Sequence, residues 1–332
     1  MATPRTSSYL AASGGGVFAG IAGAPAWRAG LAVGVWKELP GTAVAGYTTP
    51  GGNVVSGQVI DAYSGMFVAN DEELVFNGGG HNNSSDNSVI GLNLMANSPA
   101  LRTICEPTPI GERGSGVVWW GTAPNQKPAA CHTYDSGVYS TSLNRLLWVA
   151  QSSPWGSAGG VAGGNRLFSL DYATGQWIQL ASDLGATPTG AGKMVCRDPA
   201  GNIYSAAVSQ SIWKYASGTW TELSNNGLLN FSGLGALVFD SARNRLLRVS
   251  CDANHWLTID ASTGSVTDVS GLLSGTGSVV ADLNALILVD SPGCCYDPDN
   301  DRFCIPTGSG ASFYSINAAT WAVTLVTPGT VS

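Results

Sequence analysis

The side chains best suited to chemistry are few and dispersed. The chain has three histidines, His81, His132 and His255. His81 heads the run His81-Asn82-Asn83, with Asp86 close behind. Imidazole, amide and carboxylate groups together suit a metal or a sugar. Two imidazoles with no carboxylate at ligand spacing are a weak metal signal, and no metal is expected. His81, Asn82, Asn83, Asp86 and His132 are therefore read as candidates for partner or glycan contact. The blander reading has both histidines hydrogen-bonded to loop backbone. Asp297, Asp299 and Asp301 alternate in a way that superficially suggests a calcium loop. Calcium takes about six to eight oxygens, usually with a distal Glu, and none follows. Pro298-Asp299-Asn300 is also a favourable hairpin turn, and the segment is read as one. The adjacent indoles Trp119 and Trp120 lie within the longest connection, Glu106 to Ala130. Trp155 is a weaker instance of the same kind. Indoles are expensive to leave in water, so a sugar, a neighbouring subunit or the protein's own sheets must meet them. No Gly-x-Ser-x-Gly elbow, P-loop or His-Glu-x-x-His occurs. Neither a catalytic residue nor a cofactor is expected.

Composition narrows the class further. Only 11% of the 332 residues are charged, the net charge is −7 and the pI is about 4.8. Nucleic-acid binding wants a basic face and is excluded as an expectation. Low charge suits either a surface covered by neighbouring subunits or a Ser/Asn-rich β-protein. The 44 glycines and 16 prolines are scattered rather than gathered in a linker, which predicts one domain rich in short strands and turns. The first residues lack a basic n-region followed by a leucine-rich stretch. The apolar run from Val17 to Val35 is broken by Pro25 and Arg28. Neither a signal peptide nor a membrane span is expected. Seven cysteines, two of them adjacent at Cys294 and Cys295, give no legible disulfide framework. Free, mostly buried thiols are expected, in a protein made in the cytosol.

What must position these residues is a repeat. Ser64-Gly65-Met66-Phe67 resembles Ser136-Gly137-Val138-Tyr139, and Asn144-Arg145-Leu146-Leu147 recurs as Asn244-Arg245-Leu246-Leu247. Further copies begin near Asp198 and Tyr296. Each copy has a second half: Leu170-Asp171 to Trp177 resembles Ile259-Asp260 to Val266, and the stretches ending at Trp220 and Trp321 follow the same scheme. Two hairpins per copy make a four-stranded antiparallel blade, and such blades stack around an axis. The expectation is an all-β propeller with blades at about 60–105, 132–181, 191–224, 232–270 and 291–327. Trp36 to Leu39 and the strand-like run Val279 to Val289 are read as parts of a sixth, degenerate closing blade. A five-bladed ring is the alternative. Residues 1–35 form either an N-terminal arm or strands of that closing blade. Trp177, Trp220 and Trp321 should occupy equivalent places in outer strands, and helix should not exceed a few percent.

Leu74-Val75-Phe76-Asn77-Gly78-Gly79-Gly80-His81 resembles the kelch signature, an apolar strand running into paired glycines. With His132-Thr133-Tyr134-Asp135, it is similar to kelch-like propellers encoded by tailed bacteriophages. Later blades have lost the glycine pair, as at Val149-Ala150-Gln151. The resemblance implies a non-enzymatic virion structural protein, assembled in the host cytoplasm and acting in particle assembly, decoration or host attachment. Its implied partners are other virion subunits, further copies of itself and a host-surface glycan, with no nucleic acid and no membrane insertion. The alternatives are a carbohydrate-binding adhesin outside a virion, or a kelch-fold enzyme such as an oxidase or glycosidase. Galactose oxidase shares the kelch fold, but its copper-site residues find no match here.

Overall fold

A computed structural model describes residues 9–11, 25–28, 36–39, 41–55, 66–69, 73–77, 85–114, 119–130, 136–140, 143–149, 167–181, 194–206, 211–229, 235–250, 255–290, 293–307 and 312–327. The chain is an all-β protein of the propeller class with five blades, about 49% strand and 10% helix. It divides into two compact units, Met1–Ser8 with Leu39–Lys193, and Tyr9–Glu38 with Met194–Ser332.

Strands β1 (Tyr9–Ala11) and β2 (Trp36–Glu38) pair antiparallel as a two-stranded sheet. The segment Trp36 to Leu39 therefore supplies a strand, but not one of a four-stranded blade, and a sixth blade is not seen among the described residues. In the first unit, blade 1 comprises β3 (Met66–Ala69), β4 (Glu73–Asn77), β5 (Val89–Asn93) and β6 (Leu101–Cys105). A short hairpin of β7 (Trp119–Trp120) and β8 (Lys127–Pro128) follows. Blade 2 comprises β9 (Gly137–Ser140), β10 (Arg145–Val149), β11 (Leu167–Asp171) and β12 (Trp177–Ala181).

The second unit holds three blades. Blade 3 runs through β13 (Met194–Arg197), β14 (Ile203–Ala206), β15 (Ser211–Ala216) and β16 (Thr219–Asn225). Blade 4 runs through β17 (Gly235–Asp240), β18 (Arg245–Ser250), β19 (Trp256–Asp260) and β20 (Val266–Asp268). Helix α1 (Val279–Asp290) precedes blade 5, which is β21 (Cys295–Asp297), β22 (Arg302–Pro306), β23 (Phe313–Asn317) and β24 (Val323–Val326). Each blade pairs its four strands in sequence order, all antiparallel. Within each unit the innermost strands of successive blades lie side by side, β3 by β9, β13 by β17 and β17 by β21.

The middle strands β10 and β18 are covered on both faces, so their burial does not alternate. Leu146 to Val149 and Leu246 to Val249 are buried throughout. In the first unit Val75, Val89, Tyr139, Leu146, Trp148 and Phe168 pack as one cluster across blades 1 and 2. A single blade could not bury both of its faces alone.

Helix α1 corrects the reading of Val279 to Val289 as a strand and lifts helix above the few percent anticipated. A short apolar run does not distinguish strand from helix by periodicity. The arbiter here is spacing: Leu283 and Ile287, one turn apart, are buried against Phe303, Tyr314 and Val323 of blade 5. Asp282 accepts from the Ser278 hydroxyl in the first turn, a favourable place for an acid. No helix among the described residues is long and apolar enough to cross a membrane.

The turns carry the repeat most faithfully. Inner hairpins turn through Asn144, Asn244 and Asp301, all left-handed, with φ of 49°, 48° and 49°. Asn and Asp tolerate that conformation better than other side chains. In blades 2, 4 and 5 that residue's carbonyl accepts the N–H of Tyr172, Ala261 and Ala318 respectively, which ties the inner turn to the outer one. The outer turns run Asp171 to Gly175, Asp260 to Gly264 and Asn317 to Trp321. In each, the fifth residue's N–H donates to the first residue's carbonyl at 2.8, 2.8 and 2.9 Å. The first side chain's Oδ1 accepts the N–H groups of the third and fourth residues.

That geometry corrects the placing of the three tryptophans. Trp177 opens β12 opposite Leu170, and Trp220 lies in β16 opposite Tyr215. Trp321 stands two residues before β24, in the left-handed place that Gly175 and Gly264 hold elsewhere. The counterpart of Trp177 in blade 5 is Val323, opposite Ile316. Blade 5 has no glycine in this turn, and an indole stands at the left-handed position.

Candidate functional site

A cleft of about 370 Å³ opens in the first unit between the outer parts of blades 1 and 2. One wall is the end of β6 with Ile104, Cys105 and Glu106, and the opposite wall is the outer turn of blade 2, Thr174 to Trp177. The third is Pro124 to Lys127, from the loop that joins β7 to β8. The connection Glu106 to Ala130 is thus not needed to build a blade; it builds a cleft.

The connection is fastened by a buried amide. Asn87 donates through Nδ2 to Thr108 Oγ1 at 3.0 Å and to the Pro128 carbonyl at 2.8 Å, and its Oδ1 accepts the Thr108 N–H at 2.8 Å. Arg113 adds bonds from Nε to the Thr108 carbonyl and from Nη1 to Ser85 Oγ. Burial lowers the Arg113 guanidinium's pKa, with Asp86 opposing that effect.

Charge inside the cleft is balanced and held. Lys127 Nζ donates to the carbonyls of Glu106, at 2.5 Å, and Pro107, at 3.4 Å. The Glu106 carboxylate takes the Gly51 N–H on Oε1 at 2.9 Å. Its Oε2 has no hydrogen-bond partner. At the base, burial pushes the Cys105 thiol pKa up, against the lowering pull of Lys127 and the Trp177 N–H. Ile104, Pro124, Gly175 and Trp177 give the lining an apolar part, and its remaining polar groups are the amides and hydroxyl of Asn125, Gln126, Gln176 and Thr174. These groups both donate and accept, so the cleft suits a neutral polar ligand better than an ion.

The residues singled out from sequence are placed differently. Trp120 is 1% exposed, packed with Ala129 and Ala130, and its Nε1 donates to the Gly114 carbonyl at 2.5 Å. It is core of its own hairpin, one of the three surfaces anticipated, and offers no face to a sugar. Trp119 is half-buried; its ring meets Phe168 edge-on at 4.9 Å, and Nε1 donates to Gln179 Oε1. Asp86 is buried, with Oδ1 accepting the Ser88 N–H. His81, Asn82, Asn83, His132 and Trp155 lie outside the described residues. Asp297 and Asp301 form the β21–β22 turn: Asp297 pairs with Arg302, and Asp301 with Arg243. Among the described residues, no three His, Cys, Asp or Glu side chains gather as a metal would require. Sequence reasoning missed Glu106, Asn125, Gln126, Lys127 and Gln176. Their only signal was membership of a connection too long for a blade, or of a repeated turn.

No protein-family model and no curated protein matches the chain. Among solved structures, it is similar to a nidogen/laminin complex, at 14% identity over 80% of this chain and 86% of that chain, with a TM-score of 0.47. An auxiliary nutrient binding protein from Bacteroides ovatus gives 13% identity over 80% of this chain and 57% of that one, TM-score 0.47. Its counterpart from Bacteroides thetaiotaomicron gives 9% over 78% and 56%, TM-score 0.44. At such scores they carry no inference about what this chain binds.

Proposed function

We propose that this chain is a non-enzymatic recognition propeller of kelch-like type. In this reading it is a subunit of a bacteriophage virion, assembled in the host cytoplasm, that decorates the particle or attaches it to a host-surface glycan. The observation that carries the recognition role is the lining of the cleft. A cleft of about 370 Å³ falls within the roughly 300–1,000 Å³ of small-molecule sites. It offers three amides, a hydroxyl, a carboxylate oxygen without a partner and the edge of an indole. Sugar hydroxyls donate and accept at once, which matches amides, and the cleft carries one basic and one acidic side chain, Lys127 and Glu106, so its formal charges cancel. The virion setting rests on the resemblance of residues 74–81 to kelch-like phage propellers and on the 11% charged content, which suits a surface covered by neighbouring subunits or copies of itself.

The test has separate arms. Purified protein is applied to a glycan array, and any hit is titrated calorimetrically against the wild type and the Asn125→Ala, Gln176→Ala double variant. Binding that weakens at least tenfold in the variant supports the cleft. A silent array, or equal affinity in both proteins, overturns it. Copurification with phage particles supports the virion setting, and its absence sinks that part alone. Turnover of an array sugar would overturn the non-enzymatic reading.

A further inference from the structure

Blade 5 carries a cross-strand pair of free cysteines. Cys295 in β21 and Cys304 in β22 are direct Cα partners in an antiparallel ladder. Direct partners stand about 4.5–5.5 Å apart between Cα atoms, inside the roughly 4.4–6.8 Å that a disulfide spans. Two residues along the same face, Asp297 and Arg302 are the next such pair but one, and their side chains meet, Nε to Oδ2 at 2.9 Å. That ion pair marks the face and register on which the thiols also lie. Cys295 is exposed, Cys304 half-buried, and the Cys295 Sγ lies 3.9 Å from the Cys304 carbonyl. Cys294 is turned otherwise: it packs against the apolar cluster of blades 4 and 5.

We propose that Cys295 and Cys304 form a reversible cross-strand disulfide when the protein meets a low-molecular-weight disulfide such as oxidised glutathione. The exposed Cys295 thiolate attacks one sulfur of the reagent, a mixed disulfide forms and one thiol leaves with its electron pair. The Cys304 thiolate then attacks Cys295 Sγ and expels the second thiol. The protein dithiol gives up two electrons and two protons, and one reagent disulfide becomes two thiols. The order follows from the environments. Hydrogen bonding to Cys295 and burial push the Cys304 thiol pKa up, which leaves the first attack to Cys295 and makes Cys304 the resolving partner. The proposal is independent of the cleft and of the virion setting.

The experiment uses the folded, full-length protein. It is incubated with oxidised glutathione, its remaining thiols are alkylated under denaturing conditions, and its peptides are identified by mass spectrometry. The expected wild-type product links Cys295 to Cys304 and has two fewer titratable thiols than the untreated protein. The Cys304→Ser variant should stop at a glutathione adduct on Cys295, while Cys295→Ser should leave Cys304 unmodified. Cys294→Ser should behave as wild type. A wild-type adduct on Cys295 that never resolves, a bridge that includes Cys294, or no reaction at either cysteine would each overturn the proposal.

Discussion

The outer turns of blades 2 and 5 share their hydrogen bonds and differ at the left-handed residue, which bears on what lies beside them. In blade 2 the left-handed place is Gly175, φ 71°, and a Cβ there would stand 2.6 Å from the Ile104 carbonyl of blade 1. The cleft lies alongside. In blade 5 the place is Trp321, φ 63°, 5% exposed and stacked on Phe303 at 6.0 Å. The Arg245 guanidinium lies 5.1 Å from the indole centroid. Ser274 brackets the turn, donating to the Trp321 carbonyl and accepting the Val323 N–H. A glycine lets the neighbouring strand approach and leaves space at the rim. An indole in the same backbone position fills the space and shuts it. A bulky residue is disfavoured there by about 1–2 kcal/mol, so the packing of the ring must outweigh the strain.

The largest effect should come from removing that ring. Trp321→Ala should lose about 4 kcal/mol of stability, because it deletes a buried aromatic while keeping a Cβ at positive φ. Trp321→Gly should lose about 1 kcal/mol less, although it removes more atoms. Urea unfolding of the two variants gives the order. If Gly is the worse of the two, backbone strain plays no part and the comparison of turns fails.

How far the sequence disclosed this depends on what each feature is made of. Blades repeat because hairpins repeat, and Asn144-Arg145-Leu146-Leu147 against Asn244-Arg245-Leu246-Leu247 carries side-chain alternation and turn chemistry that a reader of residues can see. The shift at Trp321 was hidden because aligning tryptophan with tryptophan obscures that this turn has no glycine; the backbone conformation, not the residue type, was the repeated quantity. The run from Val279 was ambiguous for lack of period, and only contact of Leu283 and Ile287 with blade 5 settles it as helix. The cleft was half legible. The excess length of 106–130 pointed to the right segment, but its indoles drew attention away from Asn125, Gln126 and Lys127, polar residues that acquire meaning only when β6 and the blade 2 turn face them.

The glycines test the other side of the comparison with a smaller effect. In blade 4 a Cβ at Gly264, φ 74°, would stand 1.9 Å from the Leu223 carbonyl, against 2.6 Å at Gly175. Both neighbours are backbone and yield little. Gly264→Ala should therefore lose about 3 kcal/mol and Gly175→Ala about 2 kcal/mol. Equal losses would mean that left-handed strain alone sets the effect and the closeness of the adjoining blade adds nothing.

A third test uses pH. Beside the blade 5 turn, Arg243 bridges Asp240 and Asp301, with 2.6 Å from Nη2 to Asp301 Oδ2. Tyr296 donates to Asp301 Oδ1 at 2.8 Å. The hydrogen bonds from Arg243 chiefly hold the Asp301 pKa down at about 2, below the ordinary value near 4. A carboxylate depressed on folding stabilises in full above the unfolded pKa and loses that contribution as pH falls through the folded one. The melting-temperature gap between wild type and Arg243→Leu should thus shrink from about pH 4 downward and stop changing below about pH 2. With Asp301's side chain 38% exposed, added salt should narrow the gap as well. A gap that stays constant across this range would show that Arg243 acts by packing alone.

The smallest effect belongs to the cleft, and its smallness is the point. Asn125 and Gln176 are exposed, and the bond that Gln176 contributes to the blade 2 turn comes from its backbone carbonyl, accepting the Asp171 N–H at 2.8 Å. Truncating either side chain removes no contact on which the turn depends. Asn125→Ala and Gln176→Ala should each shift stability by less than about 0.5 kcal/mol, measured by urea unfolding in the same preparation used for binding. Trp321, which shuts the blade 5 turn, holds the fold; Asn125 and Gln176, which line the open turn of blade 2, are free of that duty. A loss above about 1 kcal/mol from either variant would mean that the cleft residues are fill like Trp321, and that both turns are shut by the same means.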